Sequence, residues 1–167
     1  MKKLAAIALV LALVTGAFTL WGFAGARLEL RADRVRELDA QEYQARFERL
    51  KEQLNNRSVR GVVYGEALDG SASDYKILEY TISVHNRGLV RARMIEAVVL
   101  PLRGDILCYS QQEARNLDVN SSIEAGAGQE ITLTCYLLTR KDAHAVRDIQ
   151  VSYYIWGNPF MLKVNYG

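Results

Sequence analysis

The side chains of this 167-residue sequence best equipped for chemistry are two cysteines, two histidines and a group of aromatic residues near the C-terminus. Cys108 and Cys135 stand 27 positions apart. In an exported protein a small, even cysteine count suggests a disulfide, and closing this segment would stabilise the fold by roughly 3.5 kcal/mol through loop entropy. Cys135 lies on the inward parity of its strand, where a bridge beside the core fits; two buried free thiols are the alternative. Both arrangements are structural, because no Lys, His or CxxC setting flanks either residue to lower a thiol pKa. His85 and His144, with Ser83 and Ser110, match no G-x-S-x-G or comparable nucleophile setting, so no catalytic residue is assigned. Asp69-Gly70-Ser71-Ala72-Ser73-Asp74 spaces its oxygens like the start of a calcium loop. Its twelfth position is Tyr80 where an EF-hand requires Glu, so a hairpin loop is expected there, with no metal and no cofactor.

The aromatic residues are the better binding candidates. Tyr136, Tyr154 and Trp156 share the outward parity of the last long strands, and Met161 is outward on the strand after. As neighbours these strands would form one exposed face of the kind that marks a ligand or partner surface. The preferred alternative is that a helix, or a second copy of the chain, covers it, with Tyr43 and Phe47 on the helix side. Asn56-Arg57-Ser58 and Asn120-Ser121-Ser122 match the N-glycosylation acceptor, which matters only in a eukaryotic secretory host.

The elements that must position these residues begin with Lys2-Lys3 and then Leu4 to Ala24, an uncharged run whose polar side chains are Thr15 and Thr19. Its length of about 31 Å as a helix matches a hydrocarbon core of roughly 30 Å. Trp21 stands near the far end, where an indole favours the interface. Either residues 1–26 are an uncleaved membrane anchor, or Ala24-Gly25-Ala26 is the cleavage site of a signal peptide. The anchor is preferred because the run exceeds an ordinary signal core. Lys2 and Lys3 favour an inside N-terminus and an extracytoplasmic body, although Arg27, Arg31, Arg34 and Arg36 follow the span closely.

Residues 27–56 read as a helical stalk. Between Arg27 and Leu54 there is no Gly or Pro, and good helix formers dominate; the rod would be about 42 Å long. Tyr43, Phe47, Leu50 and Leu54 make an apolar stripe, while the five-residue step from Leu38 to Tyr43 breaks the register. The stripe serves either self-association or, as preferred, packing on the adjacent β-region.

Residues 57–167 change to a period of two. Leu78, Tyr80, Ile82 and Val84 alternate with polar neighbours, as do Ile131, Leu133, Cys135 and Leu137, then Ile149, Val151, Tyr153 and Ile155. Phe160, Leu162, Val164 and Tyr166 form a last inward set. Val90–Leu100 is a strand with Ala92, Met94, Val98 and Leu100 inward and a bulge at Glu96; Val59–Ala67, Ile106–Ser110 and Leu117–Ile123 are shorter candidates. Seven or eight short strands with turns between them predict a mainly β fold, an antiparallel sandwich. Charges balance through it, twelve basic against twelve acidic from 55 to 167, so no nucleic-acid surface is expected.

The wording Tyr80-Thr-Ile-Ser-Val-His-Asn86-Arg-Gly88, followed by Ile123-Glu-Ala-Gly126-Ala-Gly128-Gln-Glu-Ile-Thr-Leu-Thr134, resembles bacterial cell-surface immunoglobulin-like and fibronectin-III-like modules over about residues 75–166. The resemblance implies an immunoglobulin-like sandwich acting as spacer, adhesive or interaction module rather than as an enzyme. The cysteine spacing departs from the immunoglobulin hallmark, being far shorter and enclosing no Trp. The expectation is therefore a non-catalytic membrane module, anchored through residues 4–24, with a protein partner or self-association through the stalk. A secreted ligand- or glycan-binding module cleaved near Ala26 is the alternative.

Overall fold

Helix α1 (Lys2–Ala24) opens the computed structural model, which describes residues 2–25, 27–65, 68–114 and 122–165. Its large apolar side chains, Leu4, Leu9, Leu13 and Leu20 among them, are left exposed rather than packed against the body. The Thr15 hydroxyl donates to the Leu11 carbonyl at 2.8 Å and that of Thr19 to the Gly16 carbonyl at 2.8 Å. Both hydroxyls are thus satisfied within the helix. Over Lys3–Gly22 the helix is long and apolar enough to cross a membrane or to be a signal sequence.

The helical stalk expected over 27–56 does not form as one rod. Leu28–Asp39 is strand β1, and after a turn only Gln44–Asn55 is helical, as α2. β1 pairs antiparallel with β3 (Tyr75–Asn86) from Leu28↔Asn86 to Asp39↔Lys76, with a bulge between Leu30 and Ala32. Helix propensity is a weak local preference; a ladder of main-chain hydrogen bonds along a central strand, with Leu28 and Leu38 buried, outweighs it. The charged residues that suggested a solvated helix line an edge strand instead, where they discourage further pairing. The five-residue step between Leu38 and Tyr43 marks the junction of β1 and α2.

Further along come β2 (Val62–Val63), β4 (Arg93–Val99), β5 (Asp105–Ser110), β6 (Glu130–Arg140), β7 (Ile149–Ile155) and β8 (Asn158–Val164). They form two antiparallel sheets, ordered β1-β3-β6-β5-β2 and β4-β7-β8. Between the sheets lies one core, in which Tyr80, Ile82, Val84 and Leu137 of the larger sheet meet Val99, Ile149, Val151 and Ile155 of the smaller. A second core lies on the opposite face of the five-stranded sheet. There Phe47 and Leu50 of α2 are fully buried among Tyr75, Ile77, Tyr109 and Leu138, with Tyr43 and Leu54 packed alongside.

Strand β4 differs from expectation at its bulge. The shift falls between Arg93 and Glu96, with Met94 at φ 51°, so the inward residues are Ala92, Ile95 and Val99 and Met94 is exposed. An extra residue reverses the parity of everything after it. Ala67, Leu117–Ser121, Asn120 of the second glycosylation pattern and Tyr166 lie outside the described residues.

Candidate functional site

Strands β5 and β6 bring the two cysteines together. Cys108 is opposite Leu137 and Cys135 opposite Ser110, so the pair is a diagonal cross-strand neighbour set on the core side. Both thiols are buried and unbridged, and they hydrogen-bond to each other. That bond and burial push the Cys135 thiol well up. The same bond draws the Cys108 thiol below its ordinary value against the opposing effect of burial, with Tyr64 assisting. These neighbours come from the fold, which is why the flanking sequence showed no cause for a shift.

Cys108 also lines a cleft of about 550 Å³ between β4 of one sheet and β5 of the other. Met94, Ile95, Ile123, Leu133 and Tyr154 give it apolar walls, and Arg60, Glu96 and Glu113 bring charge. A concave apolar site with few polar groups suits an apolar side chain of a partner or a small ligand.

The four residues expected to form one face are separated by the fold. Tyr136 is buried on the larger sheet: its ring stacks on Tyr109 at 5.3 Å, and the Arg46 guanidinium of α2 lies 5.2 Å from its centre. Parity gives the side of a strand, but not whether that side is covered, and here α2 covers it. Tyr154 and Met161 do share the outer face of the smaller sheet, from the pairs Tyr154↔Pro159 and Ser152↔Met161, and both are exposed. Trp156 stands at the β7–β8 turn, with its ring against Gly22 of α1.

The histidines are held apart. His85 pairs with Glu29 on one side and Glu130 on the other, at the start of β6. His144 follows the far end of that strand, which at eleven residues spans about 36 Å. In the Asp69–Asp74 loop the Asp74 carboxylate accepts from the Ser71 amide at 2.9 Å and from its hydroxyl. Those bonds, the first above all, hold the Asp74 carboxyl below its usual value, and the group serves as a cap.

One ionic site has no sequence signature. Arg147 and Asp105 are both buried, and the guanidinium makes two hydrogen bonds to the carboxylate, at 3.0 and 2.6 Å. The Leu102 amide adds a third at 2.7 Å, and the Arg147 amide donates to the Tyr80 hydroxyl at 3.1 Å. The pair ties the β4–β5 loop to the segment entering β7, at the end of the sandwich away from α1. Forty-two positions separate the partners, so no local pattern announces them.

No family model matches the chain, and no curated protein does. Among solved structures, the chain is similar to the crystal structure of a FixG-related protein from Vibrio parahaemolyticus. The match has 18% identity and a TM-score of 0.33, and covers 53% of this chain and 72% of that one.

Proposed function

We propose that the chain is a non-catalytic, membrane-anchored interaction module, an immunoglobulin-like sandwich held at the extracytoplasmic face of a bilayer by α1. The observation that carries this reading is the unburied apolar surface of α1, which in water would be a large exposed patch and in a bilayer is solvated by lipid. The body follows after only Gly25, Ala26 and Arg27. Strand order supports the immunoglobulin-like part. With the two-residue β2 set aside, β1-β3-β6-β5 and β4-β7-β8 correspond to the ABED and CFG sheets of a constant-type domain. In that correspondence the cysteines lie on adjacent strands of one sheet, so they are no counterpart of the inter-sheet bridge.

The partner surface is the outer face of the smaller sheet. Tyr154 and Met161 are exposed there, and Met94 is exposed at the β4 bulge beside the cleft, whereas the apolar stripe of α2 is already used against the larger sheet. A photo-crosslinker at Met94 should give adducts with a protein partner that one at Gln44, on α2, does not. The anchor is tested by intact mass after alkaline washing of membranes. A full-length chain retained in the membrane supports it. A soluble chain lacking residues 1–26 would favour a secreted ligand- or glycan-binding module instead.

A further inference from the structure

Trp21 and Trp156 are the two tryptophans of the chain, and the fold brings them to one level. Trp21 is near the C-terminal end of α1 and is 66% exposed. The Trp156 ring lies against the next residue, Gly22, so closely that a methyl group at position 22 would stand 2.9 Å from the ring atom Cη2. Gly22 ends the apolar stretch that begins at Lys3. That stretch is about 30 Å long, the thickness of the hydrocarbon core. With Lys3 at one boundary, Gly22 is at the other, and Trp156 shares its depth. An indole, apolar in body and polar at its N–H, is most favourable there.

The turn that holds Trp156 is a poor choice for water. Ile155 and Asn158 close a two-residue hairpin whose residues, Trp156 at φ 49° and Gly157 at φ 76°, are both left-handed. Such turns favour Asn-Gly or Asp-Gly, and a bulky residue in the first position is strained. Here the strained position presents a 47% exposed indole. The neighbouring loop points the same way. The Arg87 amide donates to the carbonyl of Arg27, just past the span, at 3.2 Å, and Leu89 is 57% exposed. A third tie, the Leu28 amide to the Tyr153 hydroxyl at 3.2 Å, fixes the exit of the span to β7.

We propose that the β7–β8 turn and the 87–89 loop are a lipid-binding foot. Trp156 inserts at the hydrocarbon boundary of the bilayer that α1 crosses, Leu89 enters beside it, and the Arg87 guanidinium, which lies 3.6 Å from the Glu29 carboxylate, stands at the level of the lipid phosphates. The foot rests on the anchor reading of α1 and adds to it. Two points of attachment fix the orientation of the sandwich, so the face that carries Tyr154 and Met161 is presented in one direction.

The test uses the full chain in phosphatidylcholine–phosphatidylglycerol vesicles, with Trp21→Phe leaving Trp156 as the reporter and Trp156→Phe leaving Trp21. The lipids are brominated either near the headgroup end or near the methyl end of their acyl chains. Both tryptophans should emit at short wavelength and be quenched at least about twofold more by the shallow bromines than by the deep ones, as interfacial indoles are. Equal far-UV circular dichroism of the two variants shows that both are folded. If Trp21 is quenched by lipid while Trp156 responds only to aqueous iodide, the foot is refuted and the anchor stands. If neither responds to lipid bromine, both are refuted.

Discussion

Removing the Asp105 charge should be the most damaging conservative change in the body. Asp105→Asn keeps the shape of the side chain and an acceptor for the Leu102 amide, but leaves the Arg147 guanidinium unneutralised. The side chains of the two residues are 1% and 0% exposed, so water does not replace the lost carboxylate. Breaking a buried pair from one side costs about 3–5 kcal/mol. At roughly 2–4 °C per kcal/mol for a chain of this size, the melting temperature should fall by about 6–20 °C. Asp105→Leu with Arg147→Met removes both charges and should recover most of the loss, since an apolar pair of similar volume is often neutral. Thermal and urea melts of the full chain in nanodiscs, read by circular dichroism, of the wild type, Asp105→Leu, Arg147→Met and the double variant give the four corners of a double-mutant cycle, with Asp105→Asn measured beside them. A single-mutant cost under about 1 kcal/mol, or a double mutant equal to the sum of the singles, would mean that the two buried charges are not coupled.

Three further outcomes are expected. Phe47→Ala should cost about 3–5 kcal/mol in urea melts, because Phe47 is fully buried and its ring lies 5.4 Å from that of Tyr75; a helix free in solvent would lose almost nothing. Mild oxidation should join Cys108 to Cys135, lowering the intact mass by about 2 Da and stabilising the fold by about 3.5 kcal/mol, and Cys135→Ala should abolish both changes. Burial pushes the Tyr80 hydroxyl up to about 12, so above pH 10 the unfolded chain releases a proton that the folded one keeps. The stability from this residue is therefore complete below about pH 10 and is lost as pH rises through 12; urea midpoints measured across that window should fall steadily.

The strands around the main core were legible because each has one buried and one polar side, and the alternations at Leu78–Val84, Ile131–Leu137 and Ile149–Ile155 all meet in the core between the sheets. β1 was not, since Leu, Arg and Glu are helix formers and only the partner strand β3, some fifty residues on, makes them a strand. α2 was legible in its stripe and in the packing of that stripe on the β-region over Tyr136; that Tyr109 lies beneath it too, and that Tyr154 and Trp156 do not, is a property of the assembled fold. The same holds for the site residues. Tyr154 and Met161 are exposed as their parity implies, while the position of Trp156 against α1 depends on where the span meets the hairpin. The Arg147–Asp105 pair forms only when distant segments converge, and the two thiols become neighbours only when β5 pairs with β6.

If α1 spans the bilayer, the sandwich sits directly on it, since only three residues separate α1 from β1 and they reach at most about 10 Å. Neutron reflectometry of the full chain in a supported bilayer measures this height directly. The expected result is a dense protein layer beginning at the headgroups with no intervening water. A sandwich layer held off by some 40 Å, the length of a 28-residue helical rod, would contradict it.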